Sequence, residues 1–196
     1  MRHPQRSLSG APPFAARAVS AFRVAIVMLV LFGSTRGLAQ DRSFQLKAAF
    51  LANFAQYVEW PKEAFASDDA PFVFGVLGSN PFGSVLSDLV AGETINGRKA
   101  VVQNYKSADE IRDCHVLFIS DSEQFRLPSV LRTLKGRNIL TVSDLDGFTT
   151  SGGMIRFVTQ SRIRFRINLA AARDANLTVS SKLLRLADEV ETVKAK

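Results

Sequence analysis

Apolar residues change their spacing several times along this chain, and each change predicts a different element. Residues 24–32 form an unbroken apolar run of nine. Further on, Leu46, Ala49, Phe50, Phe54 and Tyr57 recur every three or four positions. That spacing predicts a helix over 44–60 with one buried face, ended by Pro61. Residues 72–77 read as a strand buried on both faces. Asn80 is expected to cap a following helix with Pro81 in its first turn and Val85, Leu86, Leu89 and Val90 behind it. A turn over 94–98 feeds a strand over 99–105, a short helix is expected within 107–113, and 114–120 is the most apolar strand candidate. A helix over 125–134 and a strand over 139–142 follow.

Beyond residue 147 the pattern becomes strictly alternating. Residues 154–159 and 163–168 face each other across 160–162, which predicts an antiparallel hairpin with one buried face. A short helix over 169–174 comes next, with Asn176 in the left-handed position that ends it. Ser180 or Ser181 is placed to cap a last helix whose apolar face is Leu183, Leu184, Leu186, Ala187 and Val190. Helix and strand therefore alternate up to about residue 143, and a hairpin and two helices complete the chain. The expected fold class is α/β: a single-domain mixed-sheet sandwich with helices on both faces and a C-terminal antiparallel hairpin plus two helices.

The first apolar run belongs to a segment with its own rules. Arg2, Arg6, Arg17 and Arg23 precede or border it, no acid occurs before Asp41, and small residues including Gly37 and Ala39 follow it. A basic region, a short apolar region and small residues at positions −3 and −1 of a cut before Gln40 are the three parts of a secretory signal. A membrane anchor is the competing reading, but a spanning helix needs about 20 apolar residues. Residues 1–39 are accordingly expected to be a cleavable signal peptide and 40–196 the mature domain.

Cleavage changes what the charge means. The whole chain has 25 Lys and Arg against 18 Asp and Glu, a net charge of +7. Five of those arginines lie in 1–39, which holds no acid, so the mature chain carries 20 against 18, a net charge of +2. The excess is a property of the targeting segment, and no nucleic-acid partner is expected.

Chemistry is sparse. The one cysteine, Cys114, excludes an internal disulfide. It is either buried and inert or free for an intermolecular bond, and its apolar neighbours favour burial. His115, the one histidine of the mature chain, is its neighbour on a strand and so points to the opposite face. The two cannot chelate a metal together or form a Cys–His couple, and no metal-ligand spacing or nucleophilic triad occurs. No cofactor, no metal and no catalytic residue is expected, and the protein is read as not an enzyme. The acidic pairs Asp121/Glu123 and Asp144/Asp146 stand at strand ends, where open α/β sheets bind ligands and where aspartates also cap turns.

Residues 75–83 combine a strand, a glycine turn and an expected helix start, the ingredients of an anion cradle, without the glycine spacing of a dinucleotide site or the lysine of a P-loop. Trp60 is a core anchor or a stacking surface for a ligand or partner. Asn53, on the apolar stripe of the first helix, satisfies a buried loop or contacts a ligand. Arg156, Arg164 and Arg166 line the polar face of the hairpin, where they solvate a surface or hold an acidic partner or phosphate.

Taken in order, many of these pieces resemble the YfiR-like periplasmic proteins. The resemblance runs from about Leu46 to Val190 and includes Leu46-Lys-Ala-Ala-Phe50, Asn53-Phe54, Val58-Glu-Trp-Pro61, Gly78-Ser-Asn-Pro-Phe-Gly83, Ile95-Asn-Gly-Arg98 and Cys114-His-Val-Leu-Phe-Ile119. Its most specific parts are Leu140-Thr-Val-Ser143, Gly147-Phe148 before Gly152-Gly-Met-Ile155, and Arg164-Phe-Arg-Ile-Asn168. Ala171-Ala-Arg173 and Leu177-Thr-Val-Ser-Ser-Lys-Leu-Leu184 complete it.

The resemblance implies an α/β sandwich, often a homodimer, that regulates by binding. In such proteins the partner is the periplasmic part of an inner-membrane diguanylate cyclase, whose repression keeps cyclic di-GMP and biofilm formation low. Some relatives use disulfides for release, which Cys114 alone does not supply, and Asn176 stands where relatives often carry glycine. The candidate ligand- or partner-binding residues are Asn53, Trp60, Asn80, Phe82, Arg98, Ser143, Arg164, Arg166 and Asn168. A second reading is a sensory module that binds a small molecule, a nucleotide or an aromatic metabolite, at the 78–83 turn with Trp60 and Arg98. A partner surface requires exposed apolar residues, whereas a solute site requires a deep pocket near Trp60.

Overall fold

The structure, a computed structural model, describes residues 42–192. The expected signal peptide and its cut lie outside the described residues. The first element is helix α1, residues 42–57. Its buried face is Lys47, Ala48, Leu51, Phe54 and Ala55. The expected stripe is rotated from this by about one position: Phe54 is buried, Ala49, Phe50 and Tyr57 are half-buried, and Leu46 is exposed. Lys47 replaces Leu46 on the inner face because its ammonium reaches Asp144 at 2.8 Å and lies 4.7 Å from the Phe44 ring centroid. Its methylenes can then pack while the charge stays satisfied. The helix also stops three residues earlier than Pro61 suggested, because β1 (Val58–Glu59) leaves it to pair antiparallel with β9 (Thr178–Val179).

Strands β2 (Phe72–Leu77), β4 (Arg98–Tyr105), β5 (Val116–Ile119), β6 (Leu140–Ser143) and β7 (Ile155–Thr159) lie parallel in the order β4-β2-β5-β6-β7. Helices α2 (Val85–Val90) and α3 (Leu127–Leu134) make two of the crossovers. Pro at the start of α3 suits the first turn, where its missing N–H would have had no partner. Antiparallel strands flank the parallel centre. The short β3 (Thr94–Ile95) turns into β4 through Asn96 and Gly97, whose φ values of 53° and 80° are those of the tight hairpin turn that Asn-Gly favours. At the other edge β8 (Ile163–Asn168) pairs with β7, as the alternation required, and β10 (Glu189–Glu191) pairs parallel with β8.

The period of two along the central strands creates two cores. Phe72, Phe74 and Val76 of β2, with Val116 and Phe118 of β5, pack on Leu51 and Phe54 of α1 and Leu86 of α2. Their neighbours Leu77, Leu117 and Ile119 face the other way, onto Leu127, Val130 and Leu134 of α3. Helices thus cover both faces of a mixed sheet, the architecture expected from the alternating elements. Gly75 is required by this double packing, since a Cβ there would sit 2.7 Å from Cys114 Sγ and 2.8 Å from Leu117.

Two expected helices differ in extent. Asn80 does not cap α2: its Oδ1 accepts from Phe82 N–H at 2.9 Å, an Asx turn that postpones the helix to Val85. The last helix, α5 (Ser181–Leu186), is capped by Ser180, whose Oγ accepts from Leu183 N–H, but it does not continue through Val190. Residues 189–191 leave it to cover the β8 edge as β10, where ladder hydrogen bonds replace helical ones. Between β8 and α5, α4 (Leu169–Asp174) ends at Asn176 with φ 56°, the left-handed conformation expected there. Among the described residues, no helix is long and apolar enough to cross a membrane.

Candidate functional site

The sequence candidates fall into three places. The first is an aromatic stack beside the start of β5. His115 packs against both Phe65 and Phe72, with ring centroids 4.4 Å and 4.8 Å away and interplanar angles of 21° and 26°. Arg98 closes the stack, its guanidinium carbon 3.9 Å from the Phe65 centroid, while its Nη1 donates to the carbonyls of Ser67 and Ala70 at 2.9 Å and 2.8 Å. Trp60 packs edge-on against Phe72 at 5.0 Å, and its buried Nε1 has no hydrogen-bond partner among the described residues. The structure therefore brings Trp60 and Arg98 to one cluster, with Phe65 as the link that spacing alone did not reveal.

His115 is structural in this stack. Its Nδ1 accepts from Val73 N–H at 3.0 Å, so the proton sits on Nε2 and points to Ala64 O at 3.2 Å. Burial pushes the imidazole pKa down to about 4, the Ala64 carbonyl opposes the shift, and the Arg98 charge adds to it. Cys114 faces the opposite core, as adjacent strand residues must. Burial raises its thiol to about 12, leaving no thiolate at neutral pH. Tyr105, beside it, is also raised, first by burial and then by the nearby cysteine.

The second place is the 78–83 turn at the carboxyl end of β2. An anion cradle needs free N–H groups, and three of those in this turn are engaged. Gly78 N–H donates to Tyr105 O at 3.0 Å, Ser79 N–H to Ser122 Oγ at 2.9 Å, and Phe82 N–H to Asn80 Oδ1. Glu123, buried and paired to Arg126 at 2.7 Å, places its carboxylate against Gly78. A negative charge beside the turn disfavours phosphate, which corrects the cradle expectation. Phe82 is core, edge-on to Phe118 at 4.8 Å and to Phe44 at 5.7 Å. Asn53 is exposed on α1 and not on its buried stripe, because the face is rotated by Lys47.

The third place is the hairpin and its surroundings. Arg156 and Arg166 are directly opposed across β7 and β8. Like charges so placed repel, and acids of the chain relieve them: Asp146 pairs with Arg156, Glu189 with Arg166 at 3.1 Å, and Asp188 with Arg164. The acidic partners weighed for these arginines are thus found within the chain, Asp146 between β6 and β7, Asp188 just before β10 and Glu189 at its start. Ser143 is fully buried, donating to Ile119 O at 2.7 Å and accepting from Leu145 N–H. Asn168 caps α4 through Ala171 N–H and donates to Thr149 O, both at 2.9 Å. These two hold the loop between β6 and β7 in place.

Four large apolar residues stand exposed: Phe125 at 95 %, Leu186 at 65 %, Leu46 at 48 % and Leu89 at 43 %. Among the described residues no group of three or more His, Cys, Asp or Glu is placed to hold a metal ion.

Comparison with known proteins gives this architecture a family. No curated protein matches the chain. Among solved structures, the ABC domain in complex with L-Trp from Streptococcus pneumonia is similar at 12 % identity and a TM-score of 0.46, over 61 % of this chain and 55 % of that one. A family model described as YfiR/HmsC-like matches residues 44–188, which include every strand from β1 to β9. The chain belongs to the YfiR/HmsC-like family.

Proposed function

We propose that the protein is a periplasmic repressor that binds the periplasmic part of an inner-membrane diguanylate cyclase, acting as a homodimer and catalysing nothing itself. The observation that carries this reading is family membership across residues 44–188. Two features of the site support it. The polar candidates Ser143, Asn168 and Arg166 make hydrogen bonds and ion pairs within the chain that hold the fold. Phe125, 95 % exposed beside the carboxyl end of β5, is an apolar anchor of the kind that partner pockets take.

The test is capture of membrane proteins from a detergent extract of the source's inner membrane on the immobilised protein, read by mass spectrometry. A diguanylate cyclase with a periplasmic sensor domain should be recovered, and Phe125→Ser should reduce its recovery at least tenfold, about 1.4 kcal/mol. Extracts that yield no membrane signalling protein, with or without reductant, would end the repressor reading.

The orphaned Trp60 Nε1 favours a second reading, in which a solute supplies an acceptor to the aromatic cluster. A ligand bound only by the native state raises its melting temperature, by an amount that grows with the logarithm of ligand concentration above Kd. Screening aromatic metabolites by thermal shift is expected to give an increase that Trp60→Phe removes. A shift that Trp60→Phe leaves intact would place the ligand elsewhere.

A further inference from the structure

We infer that the cavity between α3 and α4 is a binding site for a small amphipathic anion: an apolar body carrying one carboxylate or sulfonate. The cavity measures about 470 Å³, within the range of small-molecule sites, and lies at the amino ends of β6 and β7, away from the 78–83 turn and from Trp60. Leu131 and Leu134 of α3, Met154 before β7, Ala171 of α4 and Ala175 just after it give it apolar walls.

Its buried polar groups offer donors, and its charged lining sets two cations, Arg132 and Lys135, against one acid, Asp174. Thr141 and Asn168 line it and are themselves buried, so they form its floor. Thr141 Oγ1 accepts from Met154 N–H at 3.1 Å, which leaves its own O–H proton to give. Asn168 Nδ2 spends one proton on Thr149 O at 2.9 Å and retains the second. Arg132 and Lys135 line the cavity from the exposed side, one helical turn apart. Among the described residues neither takes part in an ion pair, and Arg132 donates once, to Ser129 Oγ at 3.2 Å.

Donors below and cations above call for a ligand rich in acceptors with a negative charge. The apolar walls call for a hydrocarbon or aromatic body and leave a nucleotide's sugar and base edges unmatched. Asp174, on the opposite rim, confines the anionic group to the α3 side. Thr141 is the residue that marks the site in the sequence: a hydroxyl between Leu140 and Val142 in a strand covered on both faces.

The test uses the purified protein with 8-anilinonaphthalene-1-sulfonate as probe, titrated calorimetrically and by fluorescence well below the melting temperature. Saturable one-site binding is expected, displaced by octanoate and not by 1-octanol. Arg132→Glu with Lys135→Glu should weaken it at least tenfold. Ala171→Phe, which fills the cavity, should abolish it with an unchanged far-ultraviolet dichroism spectrum. Absence of saturable binding to the native protein overturns the inference, as does binding that the charge reversals leave unchanged. Because Arg132 and Lys135 are exposed, their variants fold and decide the matter even if Ala171→Phe does not.

Discussion

Replacing His115 by alanine is expected to lower the unfolding free energy by about 3–5 kcal/mol at neutral pH, among the largest single-residue effects in this protein. Three losses combine. The ring leaves a gap beside Phe65 and Phe72, and the Val73 N–H and the Ala64 carbonyl lose their partner. The cost should depend on pH in a definite direction. The folded imidazole titrates near 4, below its ordinary value of about 6.5, so between those values the unfolded chain binds more protons. Stability from this group is complete above about pH 6.5 and declines as pH falls toward 4. The gap between wild type and His115→Ala should therefore narrow by up to about 3 kcal/mol across that window. Urea unfolding of both proteins at pH 7, 5.5 and 4 measures it. A gap that is constant or widens toward pH 4 would mean that the folded ring is not held neutral.

Gly153→Ala is the second large effect, with an expected loss of about 3 kcal/mol, at the upper end of the cost of overpacking. A Cβ at Gly153 would overlap the Phe148 ring, closer than real Cβ atoms come to a neighbour. The ring has nowhere to go, because Phe148 is fully buried in the core beneath α3. The backbone cannot swing away either, since Gly153 N–H donates to Phe148 O at 2.9 Å. Gly152→Ala is the control: its Cβ meets open space, and its φ of 101° leaves only backbone strain, roughly 1–3 kcal/mol. Denaturation midpoints should put Gly153→Ala below Gly152→Ala, and equal midpoints would mean that Phe148 repacks freely.

Much of the site region was legible residue by residue, though not as an assembly. The opposed directions of Cys114 and His115 followed from strand geometry and hold in the two cores. Trp60 and Arg98 were both singled out, yet the residue that joins them, Phe65, lies in an irregular segment with no period to mark it. The anion cradle at 78–83 failed for a reason invisible in its own letters. The donors that quench it, and the Glu123 carboxylate beside it, arrive from the segment after β5, more than 40 residues away. Arg164 and Arg166 of the hairpin likewise found their acids about 23 residues downstream in sequence, on a segment expected to be helical.

What the sequence determined by itself was every feature that depends on neighbours within a few residues. The alternation of 3.6- and 2-residue periods dictated a parallel α/β centre with a terminal hairpin, and Asn96-Gly97, Asn176 and Ser180 set the turns and caps around it. Tertiary structure alone decided where two short segments flanking the helices are bound. Val58–Glu59 leaves its helix for Thr178–Val179, and Glu189–Glu191 leaves another for β8. Strands of two or three residues are too short to display a period, and ladder hydrogen bonds are made by backbone groups that every residue carries. The choice between helix and strand at these places rests on which distant edge is left open once the centre has folded.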